Sequence, residues 1–450
     1  MELWDIRTGE CVNTLRGHTS GSVSSLSFSP DGKTIASGSS DYTVKIWDAL
    51  TSECLKTLQG YTRGILSVSI SPDGKTIASG SSDHTGHLSV DNRAQLIASN
   101  NGGKGNGGNI RVDAALLSLT GNSQLRASTQ GEGDAGNIFI STRDRTSLDD
   151  GAIISNIVGT VSSPGRFGNG KGGLIRIDTG SLSVANGSQL QASTFGTGDA
   201  GDIIINARDS VIASGFGEFE DLTLPTAVFS VVAEDSRGNG GNIRINTGSV
   251  FVENGARFSV STSGLGRAGN ITIDARDSAV VDGVSRVGFA SQLSTATEDD
   301  ASGRGGTITV NTNSFRVSNG GFLDAQTTSA FGGGDVTINA NNFEATQGGR
   351  IFTTATNQGQ AGNITFNADT VNLSGTNGRS ISGLFANTTS TASARGGNIQ
   401  VNARKLDVSD RAQISVNSQG SGVAGDINID AKRIELRDKG LNEQSYRKLR

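Results

Sequence analysis

Residues 173 to 187 read Gly173-Leu174-Ile175-Arg176-Ile177-Asp178-Thr179-Gly180-Ser181-Leu182-Ser183-Val184-Ala185-Asn186-Gly187. Ile175-Arg176-Ile177 alternates apolar and polar, the period of a strand with one buried face. Asp178-Thr179-Gly180 carries turn chemistry, and Leu182-Ser183-Val184 alternates again. Ala185-Asn186-Gly187 is a second turn, where Asn-Gly suits positive φ. Leu190-Gln191-Ala192 is a third alternating run, and Phe195 to Gly201 is a glycine-rich corner. Three short strands and three turns within 28 residues describe one coil of a right-handed parallel β-helix. No helical i, i+3, i+4, i+7 stripe of useful length occurs between residues 88 and 436.

The opening phrase recurs as Gly, a small or polar residue, Ile or Val, any residue, an apolar residue, then Asp or Asn. Its first glycine falls at 108, 136, 173, 201, 241, 269, 306, 334, 362, 397 and 425, giving eleven copies. Six of the ten intervals are 28 residues and the others are 37, 40, 37 and 35, which marks one unit stacked on itself. At about 4.8 Å per coil, eleven coils make a rod of roughly 50 Å. The third position is Ile in ten copies and Val at Val336, predicting an inward aliphatic ladder. The sixth is Asp or Asn in ten copies, with Ser141 the exception, predicting amide hydrogen bonds along the stack. The leading glycine predicts a corner closed to Cβ. An aromatic content of 5% suits a narrow aliphatic interior.

The long coils carry 9, 12, 9 and 7 extra residues. Three of these insertions align between the second and third strands, as Gly215 to Thr226, Gly283 to Phe289 and Gly375 to Ser382. Insertions at one corner of a solenoid project from one side, often the binding side; the plainer reading is tolerated surface loops. Binding is expected through the exposed β-helix faces and these inserted loops, with Phe216, Phe219, Phe289 and Phe385 as the candidate side chains.

Residues 1 to 84 follow a different pattern. Ser29-Pro30-Asp31-Gly32-Lys33-Thr34-Ile35-Ala36-Ser37-Gly38 returns at Ser71 to Gly80, and Trp4-Asp5 returns at Trp47-Asp48. With Gly17-His18 ahead and Val44-Lys45-Ile46-Trp47-Asp48 behind, the segment resembles the WD-repeat β-propeller family. Gly60-Tyr61 replaces the second Gly-His. Only one full repeat is present, so the expectation is an antiparallel propeller fragment of one to two blades, unable to close a ring of four to eight. The blade pattern runs through Ser81-Ser82-Asp83-His84-Thr85, and the β-helix pattern then begins in mid-coil at Leu88-Ser89-Val90. That join reads as a fusion of two fragments. Its edge strands are an aggregation liability unless the β-helix end caps them. Cys11 and Cys54 occupy equivalent blade positions and read as buried strand residues rather than a bridge. The predicted organisation is 1–84 truncated WD-repeat blades, 85–436 parallel β-helix and 437–450 basic tail.

Net charge is −5, and no basic stripe interleaved with aromatics is present, which argues against nucleic-acid binding. No apolar run is long enough for a transmembrane span. Met1-Glu2-Leu3-Trp4-Asp5 is already blade sequence and shows no signal peptide.

Gly-Asn-Ile-x-Ile-Asp/Asn, Ser181-Leu182-Ser183-Val184-Ala185-Asn186-Gly187, and Ser-Gln-Leu-x-Ala-Ser-Thr at Ser123–Thr129 and Ser188–Thr194 resemble the repeat region of filamentous-haemagglutinin-like exoproteins of two-partner secretion. The resemblance covers residues 88 to 436. It implies an elongated extracellular or outer-surface adhesin with cell-surface glycans or other surface proteins as partners, and an outer-membrane secretion partner. The family's signal peptide and Asn-Pro-Asn-type secretion domain are not in this sequence.

Catalytic chemistry is weakly written. Gly131-Glu132-Gly133-Asp134 and Gly196-Thr197-Gly198-Asp199 echo a calcium β-roll but stand 65 residues apart, not in tandem. Acidic groups occur at Asp149-Asp150, Glu218 to Asp221, Glu234-Asp235 with Arg237, and Glu298-Asp299-Asp300 with Arg304. A glycosidase needs two carboxylates at a set separation, which spacing alone does not establish. The histidines are His18, His84 and His87, none beside a Gly-x-Ser-x-Gly elbow. Gly102 to Gly108 lacks the Lys-Ser/Thr of a phosphate loop. The expectation is therefore a non-enzymatic adhesin-like structural protein with no catalytic residues, metal or cofactor. The alternatives are a β-helix polysaccharide lyase or glycoside hydrolase, and a non-functional fused gene fragment.

Overall fold

The computed structural model describes the chain apart from residues 20–21, 60–63, 71–76, 82–86, 92, 101–102, 160–167, 220–221, 299–300, 390–392, 420 and 438–450. Gly60-Tyr61, the second Ser-Pro-Asp-Gly, the join with Asp83 and His84, Asp221, Asp299, Asp300 and the basic tail from 438 lie outside the described residues. All regular structure among the described residues is β.

Two parallel sheets, of twelve and eleven strands, run through the chain from His87 to Arg437. Each copy of the repeated phrase opens one strand of the larger sheet, and the Ile/Val column is in register from Ile110 through Ile138, Ile175 and Ile203 onward to Ile427. We number the coils 1 to 11 by their leading glycines, Gly108 to Gly425. His87–Val90 pairs in parallel with Leu116–Leu119 of coil 1, so the stack opens on a half-coil, as the sequence predicts.

One expectation changes. The first two predicted strands are a single strand, Ile175–Ala185 in coil 3, and the predicted turn at Asp178-Thr179-Gly180 is a register shift inside it. Thr179 stays paired with Ala207 and Ser181 with Ser210, so the chain bends without releasing its ladder. A short strand, Gln189–Gln191, forms the second sheet. Isolated parallel bridges such as Thr129↔Val158 and Thr194↔Val232 tie the remaining corner together. The second turn has the expected backbone, with Asn186 at φ 49° and Gly187 at φ 79°.

The interior is one continuous cluster from Leu88 to Leu406. Ile138, Ile175, Ile203, Ile243, Ile271, Ile308, Val336, Ile364 and Ile399 are all fully buried. The interior is not purely aliphatic: Phe258, Phe315, Phe343 and Phe366 are fully buried too. Phe343 lies 5.6 Å from Phe315 and 4.6 Å from Phe366 between ring centroids.

The sixth position forms the amide ladder in two runs. Asn206 donates to Asp178 at 2.6 Å and Asn246 to Asn206 at 2.7 Å. Asn311 donates to Asp274 at 2.6 Å, followed by Asn339, Asn367 and Asn402, each on the residue one coil earlier. Donation always runs from the later coil to the earlier. An aspartate, which only accepts, therefore fits at the start of a run and interrupts one elsewhere. Asp178 and Asp274 are those starts. The Asp178 carboxyl titrates below its usual range: burial raises it, and bonds from the Arg176 guanidinium and the Asn206 amide outweigh that. Asp274→Asn supplies a donor toward Asn246 and joins the two runs. We expect it to stabilise the protein by about 1 kcal/mol in urea unfolding. A loss of stability would contradict the ladder polarity.

Two further ladders escaped the sequence reading. At the second phrase position, Asn109 Oδ1 accepts the Asn137 backbone N–H at 2.8 Å, and Asn242 Oδ1 accepts that of Asn270 at 3.1 Å. Ahead of the leading glycine, Asp134 Oδ1 accepts the Lys171 N–H at 2.7 Å and Asp199 Oδ1 the Asn239 N–H at 2.8 Å. The carboxylates of the two calcium-like echoes are thus engaged in joining coils. A two-coil alternation is also present. Arg208 Nη1 reaches the Arg143 carbonyl at 3.5 Å, and Arg276 Nη2 reaches the Arg208 carbonyl at 2.8 Å, each crossing an intervening coil. The intervening coils carry Gly180 and Gly248 at the bend, where a Cβ would collide with the Asp144 and Asp209 carbonyls.

In the N-terminal segment, Val23–Phe28, Thr34–Ser39, Val44–Asp48 and Cys54–Leu58 form one four-stranded antiparallel blade. Glu2–Trp4 with Cys11–Thr14, and Ile65–Ile70 with Ile77–Ser81, are antiparallel pairs on either side of it in sequence. Cys11 and Cys54 are free and exposed, which corrects the buried reading; each lies in the last strand of its blade, facing solvent. The second pair faces the first coil, and Val68, Ile70, Leu88, Leu96, Ile110 and Val112, with Asn109, Arg111 and Asp113, line a half-open cavity between them.

Candidate functional site

The inserted segments are the departure from a plain rod. Gly215 to Thr226 contains a hairpin, Phe216–Phe219 paired antiparallel with Leu222–Pro225. Gly283 to Phe289 is closed by an antiparallel bridge, Val284↔Ala290, and Gly375 to Ser382 by Thr376↔Ile381. All three leave the stack between the long and the short strand, in coils 4, 6 and 9, as the sequence alignment placed them. The extra residues of coil 2 fall at a different corner. Val158 pairs with Thr194 and Asn169 with Thr197, so ten residues lie between the paired positions in coil 2 and two in coil 3.

Two of the loops are packed on each other. The Phe216 and Phe289 rings meet edge to face at 6.4 Å. Arg286 lies over Phe216 at 5.1 Å and pairs with Glu218 at 2.8 Å. Arg257, on the short strand of coil 5, lies over Phe289 at 4.9 Å. Phe219 folds back, its ring 2.7 Å from where a Cβ on Gly151 would be and 2.8 Å from the same point on Gly187. Phe216, Phe219 and Phe289 are therefore half-buried anchors of the loops. The exposed apolar side chains of the loops are aliphatic: Leu222 at 56%, Val287 at 44%, Val284 at 40% and Ile381 at 36%. Sequence reasoning favoured aromatics as contact residues and passed over these.

Phe385 is not in a loop. It ends the short strand Gly383–Phe385, and its ring stacks on Phe352 at 5.6 Å, which meets Phe322 at 6.0 Å. Arg350 lies over Phe352 at 4.7 Å and Phe322 at 5.8 Å. These side chains occupy the outer face of the short sheet, beside the corner from which the loops leave. Asp324 is on the same face, its carboxyl pushed up to about 6 by burial, with Glu298 adding to the rise.

The acidic groups singled out in the sequence hold neighbours in place. Asp149 accepts the Asn186 amide at 2.8 Å, Glu218 pairs with Arg286, and Glu298 accepts the Ser263 hydroxyl at 2.7 Å. Asp150 and Asp235 are turn residues with φ of 52° and 60°. Among the described residues no three His, Cys, Asp or Glu side chains converge as a metal site, and no helix is long and apolar enough to cross a membrane.

One constellation went unnoticed in the sequence. His18 Nδ1 meets Asp41 Oδ2 at 2.9 Å, and His18 Nε2 meets Ser37 Oγ at 2.8 Å. This resembles a nucleophilic triad, but Ser37 is fully buried and its Oγ also accepts the Trp47 indole N–H at 2.8 Å. No substrate atom reaches it, so the network braces the blade. Asp41 is lowered to about 2: burial raises it, and bonds from Thr43, the Thr19 N–H and His18 outweigh that. A carboxyl depressed on folding stabilises above its unfolded pKa, near 3.8, and loses that contribution as pH falls toward 2. We expect acid to unfold the blade across this window, with about 2 kcal/mol at stake and the effect absent in Asp41→Asn. Trp47 fluorescence reads it.

The family model described as WD domain, G-beta repeat matches residues 9–48 and 52–88. Its second match runs four residues past the boundary inferred from the sequence, into His87–Val90, a strand that pairs with coil 1. No curated protein matches the chain.

Proposed function

We propose that the chain is a non-enzymatic, adhesin-like scaffold displayed on the outer cell surface, binding through the inserted loops and the adjoining face of its β-helix. The observation that carries this reading is the placement of three insertions at one corner, with Leu222, Val284, Val287 and Ile381 exposed along it. A ridge of solvent-facing aliphatic side chains on a rigid stack is the form of a contact surface. The filamentous-haemagglutinin-like repeat phrases support export and an elongated extracellular role, with cell-surface glycans or surface proteins as partners. Surface proteolysis of intact source cells, blotted with antibody against residues 240 to 340, tests display. Loss of the band on protease treatment is the expected result; a band that survives in intact cells and vanishes after lysis contradicts it. Leu222→Ser with Val287→Ser should reduce cell adhesion at least several-fold while leaving the melting temperature unchanged. Unchanged adhesion would remove the loops from the reading.

A further inference from the structure

The first position of the short strand forms an outward column running Arg257, Gln292, Phe322, Arg350 through coils 5 to 8. Its two arginines differ from four that recur along the long strands of the rod. Arg111, Arg143, Arg176 and Arg208 are each neutralised by an aspartate one or two residues away. Arg257 and Arg350 have no carboxylate at ion-pair distance among the described residues. Each rests instead on phenylalanine rings, and in each the Nε is out of water with no hydrogen-bond partner. Withdrawing a guanidinium from water without a counter-charge is unfavourable, and ring faces offset only part of that cost. A planar cation held by aromatic packing, with donors unspent, is matched by a planar or tetrahedral oxyanion.

The surroundings narrow the ligand. Phe322, Phe352 and Phe385 form a half-exposed ring ladder over three successive coils beside Arg350. The two arginines stand three coils apart, about 14 Å at the spacing of paired strands. Gln292 lies between them as a hydrogen-bonding side chain on the same column. Repeating charge, ring-sized apolar faces and hydrogen bonding along one line suit a linear chain of sugars with acid groups. The net charge of −5 gives no general attraction for polyanions, so recognition has to be local.

We propose that the outer face of the short sheet binds a linear anionic glycan lying along the rod, with acid groups on Arg350 and Arg257 and sugar rings against Phe352 and Phe385. This deepens the adhesin reading by naming a ligand class, yet it uses none of the loop-tip residues, so the two fail separately. The test is calorimetric titration of the full chain with oligogalacturonate, with a sulfated oligosaccharide and with a neutral oligosaccharide of equal length. Binding of either acidic probe, with the neutral one at least tenfold weaker, is expected, and the better probe identifies the acid group. Arg350→Gln and Arg257→Gln should each weaken binding about tenfold, and Leu222→Ser with Val287→Ser should leave it unchanged. Should Arg350→Gln fail to fold, Arg350→Lys, which keeps charge without the fork, and Phe385→Leu should each still weaken binding several-fold. Binding of neither acidic probe overturns the proposal, as does equal binding of the neutral one or full binding by folded Arg350 variants.

Discussion

Ile271→Asp will break the rod near its middle. Ile271 is fully buried and stacked in register between Ile243 and Ile308, which are fully buried as well. The substitution removes an aliphatic side chain from a packed wall and puts a carboxylate against the same wall. Losing the apolar group alone costs a few kcal/mol, and an unpaired buried carboxylate adds to it, so about 5 kcal/mol or more is expected. Stability in a solenoid is a sum of units and nearest-neighbour interfaces. The loss should therefore split unfolding into two transitions, seen by circular dichroism, with new proteolytic cleavage near coil 6. Ile271→Val should cost only about 1 kcal/mol. An unchanged melt in Ile271→Asp would sink the inward assignment of the whole column.

Gly306→Ala should be nearly as damaging, although it adds one methyl group. A Cβ at Gly306 would fall inside the carbonyl oxygen of Gly269, the leading glycine one coil earlier. The same collision awaits at Gly201, Gly241, Gly334, Gly362 and Gly397. The obstacle is backbone on both sides, so relief requires the coils to part where their strands pair. We expect about 3 kcal/mol of destabilisation in urea. Gly288→Ala is the comparison: it has φ of 93° with nothing within 4 Å, and should lose only about 1 kcal/mol from backbone strain. If the two variants lose equal stability, the collision with the Gly269 carbonyl does not limit this position.

The division between what was legible and what was not follows from range. Position within a repeat could be read because the same environment recurs, as with the Ile/Val column, the amide ladder at the sixth position and the three insertions. The bend at Asp178 to Gly180 was misread as a turn because turn residues satisfy the sequence rule, while the neighbouring coils keep the ladder intact through the bend. Phe216, Phe219 and Phe289 could be named from the sequence as candidates, but not the packing of their rings. Their rings are half-buried in packing that holds the loops down, and the more exposed apolar positions are Leu222, Val284, Val287 and Ile381. Ser37, His18 and Asp41 span 24 positions of a blade and meet only when its strands pair.

The sequence by itself determined the coil. Alternation set which side chains face inward, period set how coils stack, and glycine marked where backbone meets backbone, because each of these depends on a residue and its equivalents one repeat away. The tertiary structure alone decided which polar groups are spent and which are free. Asp134 and Asp199 are engaged by backbone N–H groups of the next coil, whereas Arg257 and Arg350 are left on ring faces without a counter-charge. The physical reason is that pairing across coils depends on side-chain direction and on neighbours dozens of residues away.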